Sequence, residues 1–125
     1  MKTRNIGTYQ TGLFGEDLVA EQLRDDGWRA LGHRVRTKWG ELDLIMRRAD
    51  MIAFVEVKVA SPGRRDIYHV VDDRAQHRIR RAAVAWMAMQ PRQQHGVMHY
   101  RFDVAVVHLR DDQSVRSIDM LTNAF

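Results

Sequence analysis

Apolar residues recur at helical spacing in "TGLFGEDLVAEQLRDDGW", where Leu13, Ala20 and Leu23 fall on one side, Thr11 offers an N-cap and Gly27 a C-terminal stop. The spacing predicts a first helix. "WRALGHRVRTKWG" then reads as an extended segment leading into "ELDLIM", and "MIAFVEVKV" follows the polar connection "RRAD", which predicts an antiparallel meander. "SPGRRD" is a loop by its Pro and Gly. From about Val70 to Met89 the period turns helical again, with Ile79, Ala82, Ala83 and Trp86 on one side, two acids near the start and Pro91 past the end. "VMHYRFDVAVVHL" reads as a strand and "SVRSIDML" as a weaker last one. The predicted order is αβββαβ with an extra C-terminal strand: an α/β fold with a mixed central sheet flanked by helices. No repeat or linker divides the chain, so residues 1–125 are expected to form one domain.

The meander puts acids where a hairpin would bury apolar side chains. With the turn centred between Ala49 and Asp50, antiparallel partners sum to a constant, so Asp43 faces Glu56, Glu41 faces Lys58 and Ile45 faces Phe54. "RRAD" lacks a favoured two-residue turn, so a longer loop about that centre is expected. Strand alternation then projects Glu41, Asp43, Glu56 and Lys58 from one face, with Leu42, Leu44, Val55, Val57 and Val59 on the other. Opposed like charges on a sheet cost roughly 0.2–1 kcal/mol, more when part-buried. A hard divalent cation offsets that cost, since Mg²⁺ is typically held by one or two carboxylates while keeping several waters. The plainer reading is a solvated face with a Glu41–Lys58 ion pair. Ile45 and Phe54 share the acids' face, however, which implies a covering helix, and the first helix is the candidate. On it Glu16 lies beside Val19, Ala20 and Leu23, a carboxylate on an apolar stripe. It either points toward Asp43 and Glu56 or interacts with the helix dipole.

Composition narrows the classes. Of the 125 residues, 45% are hydrophobic and 29% charged, ordinary for a globular domain, and there is no cysteine to support disulfide, thiol or thiolate chemistry. The longest apolar run, "AAVAWMAM", is too short to cross a bilayer, so no membrane partner and a cytoplasmic location are expected. A net charge of +4, carried mainly by Arg, favours an anionic partner. Arg74, Arg78 and Arg81 form a basic stripe at offsets of four and seven; Arg36 and Lys38 in "GHRVRTK" and Arg64 and Arg65 in "SPGRRD" offer loop contacts to phosphate. Solvated basic faces are the alternative. The six histidines lack paired zinc spacing, Trp28, Trp39 and Trp86 read as packing residues, and Asp103 in "RFDVAVV" reads as a structural anchor for Arg101 or a turn.

An acid, then "Glu-Val-Lys" on the next strand, with an acid on the preceding helix and the order αβββαβ, resembles the PD-(D/E)XK nuclease superfamily. More closely, "GLFGEDLVAEQL", "GELDLI", "FVEVK", "RFDVAVV" and the closing "NAF" resemble the small YraN-like family, related to archaeal Holliday-junction resolvases. The resemblance implies a nuclease core acting on DNA, branched forms included, with Mg²⁺ or Mn²⁺. It implies that Asp43 and Glu56 bind the metal, the main-chain carbonyl of Val57 adds a ligand, Lys58 works on the attacking water or the phosphate, and Glu16 is the helical acid. It also suggests a homodimer. Two positions depart from the pattern: Ala60 stands where the family carries an Arg, and Ala75 where a Lys precedes Gln76, which is kept among the nucleic-acid contacts together with Arg74 and Arg78. These departures leave a catalytically inactive nucleic-acid-binding module as the alternative, followed by a protein-interaction domain.

Overall fold

A computed structural model describes residues 8–63 and 71–125, with side chains from residue 14 onward in the first helix. The elements are α1 (Thr8–Asp25), β1 (Arg29–Thr37), β2 (Gly40–Arg48), β3 (Met51–Ala60), α2 (Asp73–Met89), a 3₁₀ turn (Pro91–Gln94), β4 (His99–Leu109) and β5 (Val115–Leu121). The strands form a five-stranded sheet in the order β1-β2-β3-β4-β5. β3 and β4 run parallel, and the other neighbouring pairs run antiparallel. The parallel pair follows from the connection: a chain that crosses over through α2 re-enters the sheet in the direction it left. No helix among the described residues is long and apolar enough to span a membrane.

Local chemistry fixes the helix ends. Gly27, at φ +88°, ends α1 in a Schellman arrangement: the N–H of Trp28 donates to the carbonyl of Leu23 and that of Gly27 to Arg24. At the other end the expected cap is corrected, because α1 begins at Thr8 and runs through Thr11. Asp72 caps α2 by accepting from the N–H of Ala75 at 2.9 Å, and Asp73 follows in the first turn.

The two helices cover opposite faces. Val19, Ala20 and Leu23 of α1 bury against Leu44, Met46, Val55 and Val107, whereas Ile79, Ala82, Ala83 and Trp86 of α2 bury against Ile45, Ile52 and Phe54. The expected cover is therefore corrected, since α2 and not α1 lies over Ile45 and Phe54. Period-two alternation shows that both faces are apolar but not which helix takes which. Asp103 is a buried anchor as expected, pairing with Arg101 at 2.8 Å and accepting from the N–H of Asn123 at 2.8 Å. Trp28 and Trp86 are core residues; Trp39 is not, being 38% exposed in the β1–β2 turn.

The β2–β3 register runs from Leu44↔Val55 to Arg48↔Met51, about the expected centre. The loop is shorter than expected: two residues, Ala49 and Asp50, close it, with Ala49 at φ +53°. On the other side of β2, the pairs His33↔Leu44 and Val35↔Leu42 bracket Arg34 and Asp43. Leu44 belongs to the α1 face while Leu42 and Val35 pack on the α2 face. Both strands thus lose one step of alternation at this position, where Arg34 takes φ +49°. Leu42 is accordingly not on the face of Leu44, Val55 and Val57, as regular alternation requires.

Candidate active site

Beyond Leu44↔Val55 the β2–β3 ladder stops, and the Asp43 side chain takes over. Its Oδ2 accepts the N–H of Val57 at 2.9 Å. In an extended strand the N–H and C=O of one residue point to the same side, so the Val57 carbonyl faces the same opening. Asp43 and Glu56 hydrogen-bond to each other within this gap. Burial, followed by the Asp43 charge, raises the Glu56 carboxyl to about 7, with the Lys58 ammonium opposing. Burial also raises Asp43, opposed by the Val57 N–H and by Lys58. The hydrogen bond between them raises Glu56 and lowers Asp43. Lys58 Nζ stands 3.4 Å from Glu56 Oε1.

Glu16 reaches the site from α1, through a close approach of that helix to β3. A Cβ on Gly15 would lie 2.9 Å from Val59 Cγ2, so a residue without one lets α1 sit this low on the sheet. Glu16 is 3% exposed, and its Oε2 accepts from Arg34 Nη2 at 2.8 Å. Arg34 Nη1 also donates to Glu41 Oε1 at 3.2 Å. The Glu41 partner is thus Arg34, with Arg36 at 3.8 Å, and not Lys58, which lies against Glu56. Burial and then the Asp43 charge push the Glu16 carboxyl up to about 7 against the pull of Arg34. Its Oε1 makes no hydrogen bond among the described residues, with His33 Nε2 3.3 Å away.

These donors suit a hard cation. Two carboxyls and a carbonyl form an oxygen-only set in the range Mg²⁺ uses when it retains water ligands. Buried Glu16 Oε1 makes no hydrogen bond among the described residues and lies 3.3 Å from His33 Nε2. The set is not a closed cage: no group of three His, Cys, Asp or Glu side chains among the described residues stands ready to enclose a metal. Glu16 is paired with Arg34, a residue that the sequence patterns do not single out. Only the preceding "Gly-His" of "GHRVR" hints at an irregular strand there.

The profile of uncharacterised protein family UPF0102 matches residues 15–107, a span containing Glu16, Arg34, Asp43, Glu56 and Lys58. The chain belongs to that family. Among similar UPF0102 proteins, one from Synechococcus sp. is 38% identical over 127 residues, covering 98% of this chain and 94% of its own. One from Rhizorhabdus wittichii is 41% identical over 104 residues, covering 83% and 85%. One from Chelativorans sp. is 42% identical over 99 residues, covering 79% and 77%.

The cationic residues of this UPF0102 chain divide by place. Arg36 is exposed beside Glu41, and Lys38 lies over the Trp39 ring at 5.4 Å. Arg74, Arg78 and Arg81 are exposed on α2, Arg78 against Gly40 and Arg81 over Trp39 at 4.6 Å. The Gln76 amide donates to the Val71 carbonyl at 3.0 Å and so braces the start of α2. Arg64 and Arg65 lie outside the described residues. Ala60 is fully buried among Val104 and Val106, and Ala75 is half-buried on α2.

Proposed function

We propose that the chain is a metal-dependent nuclease that hydrolyses phosphodiester bonds in DNA, branched DNA among its substrates, with Mg²⁺ or Mn²⁺ held by Asp43, Glu56 and the Val57 carbonyl. One observation carries the reading: half-buried Asp43 and buried Glu56 come together where the β2–β3 ladder ends, with the Lys58 ammonium 3.4 Å from Glu56. Such a pair is costly to ionise without a cation and is relieved by one.

A divalent cation bound there supplies Lewis acidity to the scissile phosphate and lowers the pKa of a water molecule. Asp43 and Glu56, when ionised, would hold it, and the Val57 N–H fixes the angle of Asp43. Lys58, 3.4 Å from Glu56, stabilises negative charge that grows on the phosphate as water attacks and the leaving oxygen departs. Arg34 holds Glu16 and Glu41 in register with the pair; it supports the site without taking part in the bond change.

Linear, flapped and four-way DNA, incubated with and without Mg²⁺, test this reading. Cleavage that requires the metal is expected, reduced about 10²–10³-fold in Lys58→Ala and abolished in Asp43→Asn and Glu56→Gln. The buried Ala60 and half-buried Ala75, which bring no cation to the site, favour a second reading, a nuclease fold kept for binding. Tight DNA binding without cleavage under any of these conditions selects it.

A further inference from the structure

The β1–β2 turn and α2 enclose an open cleft of about 830 Å³ that the chemistry above does not use. Its α2 wall is apolar and includes Val84, 62% exposed, and Met89, 56% exposed. Its rim carries Lys38, Arg80 and Arg81, and no acid is among the described residues that line it. Trp39 presents its ring to this space, unlike the buried Trp28 and Trp86. Arg81 lies 4.6 Å and Lys38 5.4 Å from the ring centroid.

A planar apolar body flanked by negative charge fits such a surface. An unpaired nucleobase with its phosphates has that character, since the base stacks on the indole and the phosphates meet the cations. Stacking of a base on an exposed aromatic outweighs a solvent-exposed cation–π contact, so a base displaces Arg81 or Lys38 toward phosphate. A second copy of the chain is a poorer occupant, because it brings a net charge of +4 to an already cationic rim. Trp39, in the turn, precedes Asp43 of β2 by four residues, at most about 13 Å of chain, or roughly four stacked nucleotide steps. Between them, the Arg78 side chain passes 3.2 Å from where a Gly40 Cβ would lie.

We propose that the Trp39 cleft binds an unpaired base of DNA whose strand runs past Arg78 to the Asp43–Glu56 pair, so that the protein selects DNA with a single-stranded flank. This deepens the nuclease reading and rests on it for the role of the pair.

The test is equilibrium binding of the full chain, without divalent ions, to a blunt duplex and to the same duplex with a short single-stranded tail. Tailed DNA is expected to bind about tenfold more tightly and to quench tryptophan fluorescence. Trp39→Ala should bind both DNAs equally and lose the quenching, while Trp39→Phe keeps most of the preference; thermal melting checks that both variants fold. Equal binding of the two DNAs by the wild type, or a preference that survives Trp39→Ala, overturns the proposal. So does a Trp39→Ala variant that changes only the oligomeric state by light scattering, which assigns the cleft to a second copy. Metal-dependent cleavage that ignores both the tail and Trp39 overturns the cleft alone, whereas a Trp39-dependent preference without cleavage overturns the nuclease reading and leaves the cleft standing.

Discussion

Glu56 holds its proton because burial and the Asp43 carboxylate penalise its charge, and both act only in the folded chain. Its carboxyl sits near 7 when folded, against 4.5 as the ordinary value. The folded state therefore binds the proton more tightly, so this group's contribution to stability is complete below about pH 4.5 and is lost as pH rises through about 7. Glu56→Gln keeps a donor to Asp43 and has no charge to bury. In metal-free solution it should be more stable than the wild type above pH 7, by on the order of 1–3 kcal/mol, with the difference closing near pH 4; urea unfolding across pH reads this directly. At Ala49, exposed and at φ +53°, the left-handed backbone costs a side-chain-bearing residue roughly 1–2 kcal/mol. Ala49→Gly should therefore raise stability by about 0.5–1 kcal/mol after the greater unfolded-state entropy of glycine is counted, measurable by the same unfolding curves. The Asp43–Glu56 pairing was legible in the sequence, because a hairpin centre and a constant sum are enough to oppose two residues. Arg34 was not legible. Its role depends on a positive φ and a shared loss of alternation, and a period-two reading assumes neither.

Among the elements, α1 determines how the helical acid meets the sheet. Gly15 is the contact point, and an added methyl there would meet Val59 Cγ2 at 2.9 Å. Gly15→Ala gains about 1 kcal/mol of helix propensity but incurs an overpacking cost of about 1–3 kcal/mol. A net loss near 1 kcal/mol is expected by denaturant unfolding; a stabilised variant would show that α1 does not rest on β3 at this point. The order of elements, the Gly27 stop and the α2 apolar side could be read from the sequence because each is a local signal. The assignment of helices to faces could not be, since the face that α1 takes is set by how the chain enters the sheet at β1. The indole of Trp39 carries no mark in the sequence to separate it from Trp28 and Trp86; only its place in a two-residue connection between β1 and β2 exposes it.

At the scale of the molecule, two helices and a mixed sheet bury the apolar residues, and where the β2–β3 ladder ends at Leu44↔Val55 acids of α1, β2 and β3 gather around Arg34 and Lys58. Arg36 in β1, Lys38 in the β1–β2 turn and Arg74, Arg78 and Arg81 on α2 are exposed, an arrangement suited to drawing a polyanion toward the proposed metal site. The central claim is that the Asp43–Glu56 gap gives up a proton when it takes a divalent cation. Titration calorimetry with Mn²⁺ near pH 6, repeated in buffers of different ionisation enthalpy, measures that exchange. One ion bound per chain, with release of up to about one proton and loss of binding in Asp43→Asn, is the predicted result. Mn²⁺ binding that releases no proton and is unchanged in Asp43→Asn, or no binding at all, would contradict it.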